Sequence, residues 1–179
     1  MPSCLTILAE AFEELEAVAP VDLLRRADVS VTLASLAPAP LVTGRSQLTL
    51  RPDTYLEVIM AQEFDLLLLP GGPGVRHLRA DSRIAELVRR QHARNGFVAA
   101  ICAAPTVLAD AGVLSGRRFT AHPSVAKDLP TLLANEEVVR DGNIITSRGA
   151  GTAIAFGLAL VSVLCGQPTA QRIAAEVAA

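Results

Sequence analysis

At 179 residues the chain suits one domain with a substantial core, since domains commonly run to roughly 100–200 residues. Its 51 % hydrophobic and 19 % charged residues exclude a disordered polymer and fit a sheet covered on both faces. A formal charge of −2, no Trp and a single Tyr give no electrostatic or stacking case for nucleic-acid binding.

Cys4, Cys102 and Cys165 have no metal-ligand spacing and leave an odd thiol however they pair, which points to a reduced, cytoplasmic setting. The run Met1-Pro-Ser-Cys-Leu5 has no basic segment leading to an apolar one, so no signal peptide is expected. Residues 153–165 are strongly apolar, but thirteen residues fall short of the ~20 needed to cross a bilayer. They read as a buried helix.

In chain order, residues 5–9 predict a first strand, an acidic turn covers Glu10 to Glu16, and residues 17–27 carry helical spacing at Val18, Val21 and Leu24. Residues 29–35 alternate as a second strand, 38–44 read as a loop, and 47–50 read as a short edge strand stopped by Pro52-Asp53. Residues 55–63 predict a short helix. Residues 65–69 are the plainest central strand, ending in Pro70-Gly-Gly-Pro-Gly74. Residues 82–95 predict a helix with an Asn95-Gly96 stop, and 97–101 a buried strand. Residues 103–110 predict a helix with Pro105 in its first turn, and 118–121 a short extended piece before a turn and short helix from His122-Pro123. Asp141-Gly142 signals a hairpin between 138–140 and 143–146, Gly149-Ala-Gly151 opens the helix to Cys165, and 168–177 form a last helix. Strands alternating with helices imply one α/β domain with a mostly parallel sheet.

Cys102 sits where strand passes sharply into helix. Such a corner lifts one side chain over the carboxyl edge of the sheet, and the helix dipole there favours thiolate, so its pKa is expected to fall. The alternative is an inert buried thiol. Two further features follow parallel strands and face the same edge: the acidic turn and the glycine turn. Gly71 and Gly72 allow close approach of backbone, and with the N–H of Ala103 they could form an oxyanion hole, or they could simply end a strand. Glu13 and Glu14 read as complements to a helix dipole. Glu16, if it points inward, has a raised pKa and can act as general acid and base. His77 and His92 read as solvated, leaving His122 as the histidine at a site-like position. Walker, Gly-x-Gly-x-x-Gly, Cys-x-x-Cys and His-Glu-x-x-His patterns are absent, so neither a metal nor a nucleotide cofactor is expected.

Ala100-Ile-Cys-Ala-Ala-Pro-Thr106, Leu69-Pro-Gly-Gly72, Glu13-Glu-Leu-Glu16, Thr120-Ala-His-Pro123 and Thr146-Ser-Arg-Gly-Ala-Gly-Thr152 together resemble the ThiJ/PfpI superfamily over nearly the whole chain. The nearest branch holds the Parkinson's-disease-associated protein deglycase and bacterial YajL. The resemblance implies a flavodoxin-like three-layer α/β sandwich that forms a homodimer. It implies Cys102 as an oxidisable nucleophile with protonated Glu16 as its partner, and His122 lining the pocket. Gly72 and Ala103 would supply oxyanion-type N–H groups, and Arg45 would approach the partner's site. The implied activity is cofactor-free: glyoxalase chemistry on methylglyoxal and glyoxal, or repair of their early protein adducts. The alternative is a redox sensor or redox-regulated chaperone. Residue 103 is Ala where the peptidase branch has His, which argues against a Cys-His protease. The chain also ends at Ala179 without the longer tail of the human-type member.

Overall fold

Leu66–Leu69 is buried at every position. Leu67 and Leu69 enter one hydrophobic core, and Leu66 and Leu68 enter another. Side chains alternate across a strand, so this run demands a cover on each face. The same split recurs in 97–101, where Val98 and Ala100 join the first core and Ala99 and Ile101 the second. Each fully buried leucine contributes roughly 2 kcal/mol of apolar transfer.

The computed structural model describes residues 1–179. Its first half runs β1 (Ser3–Leu8), α1 (Glu14–Arg26), β2 (Ser30–Ser35), β3 (Val42–Thr43), β4 (Thr49–Leu50), β5 (Thr54–Tyr55), α2 (Leu56–Ile59), β6 (Leu66–Leu69), α3 (Val75–Ala80) and α4 (Ser82–Ala93). Its second half runs β7 (Phe97–Ile101), α5 (Pro105–Asp110), β8 (Val138–Asp141), β9 (Ile144–Ser147), α6 (Ala153–Cys165) and α7 (Gln167–Glu176). The seven-stranded sheet has the order β5-β2-β1-β6-β7-β9-β8 and is parallel except at β8, which pairs antiparallel with β9. Helices α2 to α5 supply the first core, and α1, α6 and α7 the second. This is a flavodoxin-like three-layer sandwich. Strand order reverses between β1 and β6, and ligands of such sheets bind at the carboxyl edge beside that reversal.

Four local expectations are corrected. Residues 55–63 form a strand end and a single helical turn, Leu56–Ile59, because Ala34 and Ser35 capture Thr54 and Tyr55 as a parallel edge. Residues 118–121 join no sheet. The Arg118 N–H goes to Asp141 Oδ2 at 2.9 Å and the Thr120 N–H to Thr146 Oγ1 at 2.9 Å, replacing a ladder. β4 pairs with β3 in a separate ribbon, so 38–44 is not wholly loop and 47–50 is not an edge of the main sheet. Helix α3 was not anticipated: its polar Arg76, His77 and Arg79 face outward, and only Val75 and Leu78 are buried. No helix is long and apolar enough to cross a membrane.

Candidate active site

Helix α1 begins at Glu14, three residues earlier than the apolar spacing implies, so Glu14 and Glu16 lie in its first turn. Both turn inward: Glu16 is 1 % exposed and Glu14 is 6 % exposed, while Leu15 between them is 60 % exposed. The Glu16 carboxylate crosses to the turn after β6, where Gly71 N–H donates to its Oε2 at 2.9 Å. In return Glu13 N–H donates to Gly71 O at 3.0 Å, and Gly74 N–H donates to Ala11 O at 2.9 Å. A Cβ on Gly71 would lie 2.5 Å from Glu16 Oε2 and 2.7 Å from Cys102 Cβ. The absent side chain is therefore what lets carboxyl and thiol meet. Gly72 has φ +89°, a left-handed conformation that L side chains rarely adopt.

Cys102 follows the last residue of β7 and has φ 65°, the left-handed region in a residue that carries a Cβ. Such a conformation costs on the order of 1–2 kcal/mol and persists where surrounding bonds hold it. Here Cys102 N–H donates to Ser147 O at 2.9 Å, and its carbonyl accepts from His122 N–H at 2.8 Å. The result is a half-buried thiol that meets the Glu16 carboxyl across Gly71, with Gly72 and Ala103 beside it.

Burial pushes Glu16 up to about 7, with help from the Glu13 carboxylate; its bonds to Cys102 and Gly71, and the Arg45 charge, pull the other way. Burial also pushes the Cys102 thiol up to about 12, the neighbouring Glu16 adds to this, and the N–H groups of Gly72 and Ala103 oppose it. Burial and the Glu16 charge thus work against the fall expected at Cys102, while the N–H groups of Gly72 and Ala103 work for it. Helix α5 has only six residues and starts at Pro105, beyond the corner, so its dipole is weak against desolvation. The two groups titrate as a pair. Once the proton resides on Glu16, its O–H donates to sulphur, and the opposition of a second negative charge disappears.

His122 is exposed; its Nδ1 lies 2.8 Å from Ser124 Oγ, and it reaches Cys102 through the backbone. With Glu137, Arg148, Gly149 and Thr152 it lines a groove of ≈ 390 Å³ that does not include Cys102. A larger cleft of ≈ 550 Å³, lined by Met1, Asp65, Arg94 and Phe97, lies at the amino ends of the strands, the opposite edge from the thiol. Arg45 pairs with Glu13 of its own chain at 3.2 Å. Cys4 is fully buried and Cys165 bonds the Ala27 carbonyl, so neither stands beside Cys102. His92 is half-buried with its Nδ1 enclosed and unpartnered, correcting its reading as solvated. No group of three or more His, Cys, Asp or Glu could hold a metal ion.

Two contributors escaped sequence reasoning. The Ser147 carbonyl holds the strained corner, and its place at the end of the parallel strand β9 was the available signal. Glu14 was taken for a dipole complement; the inverted run of acid, leucine, acid along 14–16 was the clue to its burial.

Residues 2–163 match the DJ-1/PfpI family. The chain belongs to this family. It is 41 % identical over 176 residues to Drosophila melanogaster protein dj-1beta, covering 96 % of this chain and 94 % of that protein. The crystal structure of Drosophila melanogaster DJ-1beta superposes with a TM-score of 0.95 at 40 % identity, covering 98 % of this chain and 97 % of that one. A Pyrococcus abyssi protein named as a deglycase is 32 % identical over 163 residues, covering 89 % of this chain and 98 % of that protein. Members thus share a whole-chain resemblance with this DJ-1/PfpI protein, beyond the residues around Cys102.

Proposed function

We propose that the chain is a cofactor-independent glyoxalase or deglycase acting on methylglyoxal and glyoxal or their early protein adducts. The observation that carries this reading is a buried carboxyl brought against a half-buried thiol on a left-handed strand-to-helix corner, with only Gly71 between them. In the scheme, Glu16 takes the thiol proton, Cys102 Sγ adds to the aldehyde carbon, and Glu16 returns the proton to the new alkoxide. The N–H groups of Gly72 and Ala103 meet the alkoxide charge while it lasts. Glu16 next removes the C–H proton of the hemithioacetal and delivers it to the neighbouring carbon, while the hydroxyl proton passes to the oxygen of that carbon, giving a 2-hydroxy thioester. Water cleaves that thioester to release the 2-hydroxy acid and the thiol. Methylglyoxal plus water gives lactate, with no oxidant or reductant consumed. His122 assists as a polar group at the groove, and Arg45 supplies positive charge at the Glu13 edge.

Reduced wild-type protein is expected to form lactate from methylglyoxal, and Cys102→Ala and Glu16→Ala are each expected to lose ~100-fold or more of that rate. Lactate produced by Cys102→Ala at the wild-type rate overturns the scheme. The deglycase name of the archaeal relative supports the same direction.

A second reading, a redox sensor or redox-regulated chaperone, is favoured by the donors around Cys102. In this reading protonated Glu16 and the N–H groups of Gly72 and Ala103 would hold the sulfinate oxygens. Low-excess peroxide followed by intact-mass measurement should then add oxygen at Cys102; a thiol left reduced rejects this reading. Three unpaired cysteines fit a reducing compartment, and we assign the protein to the cytoplasm on that ground.

A further inference from the structure

Glu14 is the acid that the scheme above leaves unused, and its placement is costly. Its Oε1 accepts from Ser46 N–H at 2.7 Å and from Leu48 N–H at 3.3 Å. Its Oε2 is buried with no hydrogen-bond partner. An unpartnered buried carboxylate oxygen destabilises a fold by ~1–3 kcal/mol or more. The turn that Glu14 grips closes on itself, Gly44 N–H donating to Leu48 O at 2.8 Å. A Cβ on Gly44 would displace the Glu14 carboxylate. The turn carries Arg45, whose N–H donates to Phe12 O at 2.9 Å and whose guanidinium donates to Glu13 Oε2 at 3.2 Å. Glu14 thus joins a loop more than thirty residues away to the helix start that bears Glu16.

We propose that Glu14 is a positioning residue: it clasps the Gly44–Leu48 turn so that Arg45 stays at the Glu13 edge, where its charge favours the anionic state of the Cys102–Glu16 pair. The proposal rests on Cys102 being the reacting thiol. The groups bearing on that pair are Glu13 from the α1 edge, Arg45 from the turn, the Gly71 and Gly72 N–H groups after β6, the Ala103 N–H, and His122 through its backbone. The Arg45 charge lowers Glu16, so taking it away makes ionisation of the pair harder and the titration midpoint rises. An amide at position 14 keeps the acceptor for the turn and so keeps Arg45 in place.

The test is iodoacetamide alkylation of Cys102 in the full chain, followed by peptide mass across pH. Glu14→Ala loses charge and acceptor; Glu14→Gln loses the charge but keeps an acceptor for Ser46 and Leu48. Glu14→Ala and Arg45→Ala are each expected to raise the midpoint by about 0.3 pH unit, a roughly two-fold slower reaction near neutrality, as suits one half-exposed charge. Glu14→Gln is expected to leave the midpoint in place or lower it slightly, and Glu14→Ala/Arg45→Ala to move it no further than either single change. An unmoved midpoint in Glu14→Ala, equal shifts in the Ala and Gln variants, or additive shifts in the double variant overturns the proposal. If Glu14→Ala does not fold, Gly44→Ala takes its place with the same expected rise and the same refutation. Alkylation needs no turnover, so a protein that makes no lactate still reports on the clasp.

Discussion

Glu16 keeps its proton well above the ordinary carboxyl range because α1 carries it into the interior, where Gly71 offers one N–H. Its carboxyl rises from 4.5 to about 7, chiefly through burial. Between those values the unfolded chain releases this proton while the folded chain keeps it. The folded state binds more protons there, so this group makes stability fall as pH rises through that window. Glu16→Gln keeps an oxygen for Gly71 and removes the titration. Its stability relative to wild type should improve on going from a pH below 4.5 to one above 7, by on the order of 2–3 kcal/mol. Urea denaturation at both pH values measures this, and a constant difference between the two proteins refutes it. Cys102 and Glu16 were legible as candidates because each follows a strand at the carboxyl edge. The burial of Glu14 was not, since a turn at 44–48 creates it.

At the level of elements, α1 and α6 meet through a glycine. A Cβ on Gly157 would stand 2.6 Å from Leu23 Cδ1 and 3.0 Å from Pro20 Cα. Leu23 can shift a methyl, but the Pro20 backbone cannot yield without moving α1. Pro20 lies inside that helix and has no N–H to give the carbonyl four residues before it, so the element already lacks one bond. Gly157→Ala should therefore lower stability by about 1–3 kcal/mol despite the better helix propensity of Ala. Thermal denaturation tests it; an unchanged or higher midpoint means the two helices separate freely. The long strands were readable because continuous apolar runs of β6 and β7 admit one arrangement. Two-residue strands and the turn of α2 were not, since neighbouring chain segments rather than local pattern define them.

For the whole molecule, three of the exposed apolar side chains stand near one another at the start of α1. Leu15, Val18 and Leu48 are 60 %, 45 % and 62 % exposed, and they lie on α1 and on the turn that Glu14 holds. We propose that this face pairs two copies of the chain, which puts the interface next to Glu13 and Arg45 and thus beside the site. Val18→Asp and Leu48→Asp should each convert a dimer to a monomer in light scattering. A wild-type chain that is monomeric at micromolar concentration rejects the pairing.

Alternating apolar strands and helices, a thiol at a strand end and glycines after β6 determine the layered architecture and mark the edge that carries the candidate site, because hydrophobic period and turn chemistry act locally. Tertiary structure decided the ionisation at that edge. Whether Cys102 rises or falls depends on how deeply it and Glu16 are buried together, and burial is set by elements distant in sequence. The placement of Arg45 was settled in the same way, by a buried Glu14 whose grip spans from α1 to the turn before β4.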